Sequence, residues 1–144
     1  MKCILIAAIT ANGKIAHSSD ELISWTSKED KRFFMEETKR HGVVIMGKRT
    51  HDTIGKALPG RLNIILTRSP ETMGTIPGTL EFVSDPLPDL LQALEKRGFP
   101  SVVIAGGASV YTQFLTQKFV DEIYLTIEPK LFGKGVPLFA EFSG

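Results

Sequence analysis

The sequence predicts an α/β domain with a mostly parallel central sheet flanked by helices. Two observations carry this. Short apolar runs at Cys3–Ile9, Val43–Met46 and Ser101–Ala105 lack any alternation, as strands covered on both faces do. Segments with helical periodicity separate them, the strand–helix order from which parallel sheets are built.

The elements follow in order. The first strand covers residues 3–9, and Thr10–Gly13 breaks it into a polar loop that runs to Glu21. A helix begins near Ser27, where Thr26 with Glu29, or Ser27 with Asp30, has capping-box spacing. It ends near His41, where Lys39, Arg40 and His41 suit the negative helix end and Gly42 the left-handed cap. Val43–Met46 is the second strand, followed by a short helix at Thr50–Ile54 and the turn Leu58-Pro59-Gly60-Arg61. Asn63–Thr67 is a third strand. Residues 69–80 read as loop, with one short strand at Leu80–Val83. Asp89–Lys96 is helical and Gly98 stops it. Ser101–Ala105 is a strand, Gly106-Gly107 opens a helix through Leu115, and Glu122–Ile127 alternates as a last strand.

The 144 residues make one domain, spanning 1–144, large enough to bury a core without disulfides. Seventeen basic against 16 acidic residues leave a net charge of +1, so no general attraction to nucleic acid or membrane is expected. Anion binding must come from local cations. A single cysteine, Cys3, excludes an intrachain disulfide and a cysteine zinc site and fits a reducing compartment. His17, His41 and His51 lack metal-ligand spacing, and no metal is expected. The run at residues 3–9 is too short to span a bilayer and carries no cleavage pattern, so a cytoplasmic protein is expected.

Chemistry in a parallel sheet gathers beyond the carboxyl ends of the strands. Met46-Gly47-Lys48-Arg49-Thr50 offers a glycine for close backbone approach, two cations and a hydroxyl. Leu66-Thr67-Arg68 repeats the pattern one strand on. Together they suit a ligand with more than one phosphate; otherwise they are two solvated basic turns. Ala105-Gly106-Gly107-Ala108-Ser109 is a third junction, able to approach a pyrophosphate, or only a tight turn. Asp30 either supports the free N–H groups of the first helix or faces a cleft among Trp25, Phe33 and Phe34. There it could hold a cationic or amidine-like heterocycle.

In sequence and spacing, five segments resemble the dihydrofolate reductase family. They are Trp25–Asp30, Val44–Thr50, Leu58–Arg68, Ile104–Tyr111 and Asp121–Thr126, and the resemblance runs from Ile4 to Phe139. It implies a dihydrofolate reductase-like fold and NADPH-dependent reduction of dihydrofolate to tetrahydrofolate. Asp30 then hydrogen-bonds the pterin and assists protonation of N5, linked through Thr126, while Trp25 holds a water beside the acid. The resemblance places Ile6, Ala8, Phe34, Ile54 and Leu58 around the substrate, and Arg61 on its glutamate α-carboxylate. It assigns Lys48, Arg49 and Thr50 to the pyrophosphate and adenosine phosphate, Thr67 and Arg68 to a second contact with the 2′-phosphate that favours NADPH over NADH, and Gly47 and Leu66 to the cofactor. Gly106, Gly107, Ala108, Ser109 and Val110 serve the pyrophosphate, the first two joined by a cis peptide in the family. Tyr111 lies by the nicotinamide and also meets the substrate, and Ala8 and Ile15 are further cofactor-binding positions.

The chain departs from the family pattern in places. The order Lys48-Arg49 is reversed, and the 16–24 loop is longer and lacks Met-Pro before Trp25, so its gating residues do not transfer. The family ends in a C-terminal antiparallel hairpin for which the residues after Phe139 are too few. The sequence therefore predicts that the hairpin is missing and the Glu122–Ile127 edge open, so that a homodimer forms there. Two other readings exist. Asn12–Ala16 resembles the start of the riboflavin-pathway reductase domain, and a nucleotide-binding module without catalysis would also keep the fold. Asp30 and Thr126 speak for the folate enzyme.

Overall fold

The computed structural model describes residues 1–16, 28–128 and 136–137, without the side chains of 15, 16 and 136. Its elements are β1 (Lys2–Thr10), β2 (Lys14–Ala16), α1 (Lys28–His41), β3 (Val43–Gly47), α2 (Lys48–Ile54), β4 (Leu62–Leu66), a 3₁₀ turn (Pro70–Thr72), β5 (Leu80–Val83), α3 (Leu87–Lys96), β6 (Ser101–Gly106), α4 (Ala108–Thr116), β7 (Glu122–Glu128) and β8 (Val136–Pro137). Six strands form one sheet in the order β5-β4-β3-β6-β1-β7, and every neighbouring pair is parallel. All the carboxyl ends therefore lie along one edge, and there the site is built.

The central strands are apolar at nearly every position because both faces of the sheet are covered. On one face Leu5, Val43, Ile45, Ile64, Val102 and Ile104 pack under α3 and α4, where Leu94 and Phe114 are sealed from solvent. On the other, Val44, Met46 and Ile65 meet Phe34, Met35 and Ile54 of α1 and α2. Ile4, Ile6 and Val103 extend that layer against Phe34. Side chains alternate along a strand, so Ala8 shares the α1 face with Ile4 and Ile6.

Three readings of the chain need correction. Thr10–Glu21 is not all loop: Lys14–Ala16 is β2, paired antiparallel with β8. Three residues carry no legible period, and the partner lies far along the chain. Second, α2 begins at Lys48 rather than Thr50, directly after the extended Gly47. Third, α3 begins at Leu87 rather than Asp89, since Pro88 is tolerated in a first turn. The capping residues Thr26 and Ser27 lie outside the described residues. So do the residues that bear on a closing hairpin, apart from β8, which pairs with β2. No helix among the described residues is long and apolar enough to cross a membrane.

Candidate active site

Along the carboxyl edge of the sheet runs a cleft of about 1420 Å³. At one end its walls are largely apolar. β1 contributes Ile6 and Ala8, α1 contributes Asp30 and Phe34, and Ile54 and Leu58 close the far side. Leu58 is placed by a buried asparagine: its N–H donates to Asn63 Oδ1 at 2.9 Å, and Asn63 Nδ2 returns a bond to the Leu58 carbonyl at 2.9 Å. Gly60, at φ +76, makes the turn between them.

Asp30 is the third residue of α1 and half-buried. Opposite it, Tyr111 of α4 donates its hydroxyl to the Ile6 carbonyl at 2.9 Å. Burial pushes the Tyr111 phenol far above its usual range, and the Asp30 charge acts in the same direction. The carboxylate, the phenol and the end of β1 thus form one electrostatic neighbourhood.

Thr126 is not among the residues lining the cleft. Its register opposite Ala8 puts it on the α1 face of the sheet, the face on which Tyr124 meets Phe33 edge-on at 5.8 Å. Arg61 also lies off the lining, 6% exposed. Its Nε and Nη2 donate to the Pro59 carbonyl at 2.8 and 2.6 Å, and Nη1 donates to Thr38 Oγ1 at 2.7 Å. Every one of these acceptors is uncharged, and burial lowers the Arg61 pKa from its ordinary value. Trp25 and the side chain of Ile15 lie outside the described residues.

The other end of the cleft is polar and glycine-lined. Gly47 stands at the N-terminus of α2 and Gly107 at that of α4, neither helix having a side-chain cap. A methyl group on Gly47 would lie 3.1 Å from Val110 Cγ2, and one on Gly107 would lie 3.3 Å from Thr50 Oγ1. Glycine is thus what allows these two helix starts to come together. The Gly106–Gly107 peptide is cis, and Gly106 has φ +132. Around this cradle the cleft gathers Lys48, Arg49, Thr50, Leu66, Thr67, Arg68, Ala108, Ser109 and Val110. Lys48 is not a loose cation: its Nζ donates to both carboxylate oxygens of Asp52, at 2.5 and 2.6 Å.

Reading the sequence missed Ser84 and Asp85, which line the cleft just past the end of β5, and Gln113 on α4. The signal was present for the first two, because the rule that ligands collect at strand ends applies equally to Leu80–Val83. Gln113 carried none.

A family model described as dihydrofolate reductase matches residues 2–138. The dihydrofolate reductase type 3 of Salmonella typhimurium is 34% identical over 133 residues, covering 90% of this chain and 74% of its own. A solved putative riboflavin biosynthesis protein from Shewanella sp. PV-4 superposes with a TM-score of 0.75 at 25% identity, over 100% of this chain and 86% of that one. The dihydrofolate reductase from Enterococcus faecalis, complexed with NADP(H) and RAB-propyl, superposes with a TM-score of 0.71 at 23% identity, over 97% and 77%.

Proposed function

From the premise that the chain belongs to the dihydrofolate reductase family, and so is an oxidoreductase, we propose that it reduces 7,8-dihydrofolate to tetrahydrofolate with NADPH in the cytoplasm. The observation that carries this reading is the polarity of this cleft. A carboxylate stands among apolar walls at one end, and a glycine cradle with cations at the other. The apolar end suits a flat heterocycle, which Asp30 would hold through its 2-amino group and ring nitrogen. Asp30 then assists the proton that must reach N5, with Thr126 linking carboxylate and ring and Trp25 holding a water. Ile6, Ala8, Phe34, Ile54 and Leu58 exclude solvent from the ring.

The cradle fits a pyrophosphate. The first-turn N–H groups of α4 lack intrahelical acceptors, and the glycines let a backbone approach closely. Gly47, Lys48, Arg49, Thr50 and Leu66 would hold the adenosine and its phosphates, with Thr67 and Arg68 at the 2′-phosphate, Tyr111 by the nicotinamide, and Ala8 and Ile15 also toward the cofactor. The cofactor, when bound, supplies the hydride. Arg61, a buried cation whose acceptors among the described residues are all neutral, would take the substrate's glutamate carboxylate on exchanging its bond to the Pro59 carbonyl.

The likeness to a riboflavin biosynthesis protein favours a second reading, a reductase of a phosphoribosylamino-pyrimidine. One assay separates the two. NADPH oxidation is followed with dihydrofolate, with the riboflavin intermediate and with neither. Oxidation dependent on dihydrofolate is expected, and oxidation driven only by the pyrimidine would replace the assignment.

The assembly is proposed as a dimer. β7 is hydrogen-bonded to β1 on one side and to no other strand among the described residues. It exposes Ile123, Leu125 and Ile127 by 45, 44 and 65%, an apolar row on one face of an unpaired edge. Light scattering at micromolar concentration should give about twice the chain mass of 15.8 kDa. A monomer that turns over dihydrofolate would show the row to be covered within one chain.

A further inference from the structure

We propose that Asp85 is a specificity-determining residue that weakens the preference for NADPH over NADH by placing a negative charge beside the 2′-phosphate subsite. This rests on the cofactor placement proposed above. The ladder between β4 and β5 ends with Leu66 opposite Val83, and the Thr67 N–H donates to the Val83 carbonyl at 2.9 Å just beyond it. Arg68 lies two residues past Leu66, and Asp85 two residues past Val83. Parallel neighbours run about 5 Å apart. The two strand ends therefore bring an arginine and a carboxylate to the same end of the cleft. Both are exposed and both line the cleft.

Neither is consumed locally. Among the described residues Arg68 and Asp85 make no ion pair with each other or with any other group. The neighbouring cation, Lys48, is already matched by Asp52. The charged residues lining this end of the cleft are thus Arg49, Arg68, Asp85 and Lys48, the last paired with Asp52. An arginine at a strand end accommodates a phosphate on the ribose 2′-hydroxyl, whereas a carboxylate at the same place repels it. This end of the cleft presents both. A phosphate near the doubly charged state beside Asp85 in a solvent-rich cleft loses affinity by about five- to tenfold through this one repulsion. NADH, lacking that phosphate, is spared.

Asp85 also precedes α3, whose first turn begins at Leu87, and support of that helix start is the bland role. Titration of NADPH and of NADH by nicotinamide fluorescence, on the wild type, Asp85→Asn and Arg68→Gln, decides between the two roles. Asp85→Asn should tighten NADPH by about five- to tenfold and leave NADH within about twofold, the gain shrinking as salt is raised. Arg68→Gln should weaken NADPH by about tenfold or more and NADH little. If Arg68→Gln acts so and Asp85→Asn changes neither affinity, or only lowers the melting temperature, the specificity role is overturned and the cofactor placement stands. If Arg68→Gln weakens both cofactors alike, the 2′-phosphate does not bind at this strand end, and the placement fails together with the inference built on it.

Discussion

Asp30→Asn is expected to keep NADPH binding and to lose dihydrofolate turnover by roughly 10²–10⁴-fold, the range that general acid–base participation supplies. Asparagine is nearly isosteric, so the apolar walls from Ile6, Phe34 and Ile54 stay in place. What disappears is the carboxylate, which can accept two hydrogen bonds from the heterocycle and support a proton on its way to N5. The half-buried position on the first turn of α1 allows another role, since an acid there also supports the helix start by about 0.3–1 kcal/mol. The two roles separate in the data. A capping acid changes the melting temperature and spares turnover, whereas a catalytic one does the reverse. An Asn variant that retains near-native turnover from about pH 5 to pH 8 would return Asp30 to the helix.

The second large effect belongs to Arg61. Its guanidinium is 6% exposed and donates to the Pro59 carbonyl and Thr38 Oγ1. Among the described residues no carboxylate pairs with it. A buried cation held by neutral acceptors is costly, and a substrate carboxylate would offset that cost. Arg61→Gln should then raise the KM for dihydrofolate by roughly 10–100-fold, as the loss of hydrogen bonds to a charged group implies. A reduced pterin without the glutamate tail should be used equally well by both forms. The comparison is made on one variant because Thr38, which donates to the Phe34 carbonyl at 2.8 Å, ties this arginine to α1, and some stability will be lost as well. Equal impairment with both substrates would confine Arg61 to joining α1 to the turn before β4.

The strands that make the frame were legible because burial on both faces writes itself into composition. Val43–Met46 and Ser101–Ala105 have almost no polar position, and α1 ends at the very residues, Lys39 to Gly42, whose chemistry suits a helix end. The glycines at 47, 106 and 107 were legible for a similar reason, since each stands where a strand stops and a helix starts. Other features were settled by tertiary structure. The sheet order places β1 between β6 and β7, strands drawn from the far end of the chain. That order turns Thr126 toward α1 through its pairing with Ala8. Tertiary packing also sets Arg61 against Thr38 of α1 and brings the ends of β4 and β5 together, whereas the Lys48–Asp52 pair is local to α2. β2 exists only because β8 reaches it. Local sequence encodes period, capping and turn chemistry, which act within a few residues. Which strands become neighbours depends on packing the two apolar faces at once against the entropy of closing long loops, and no short segment carries that information.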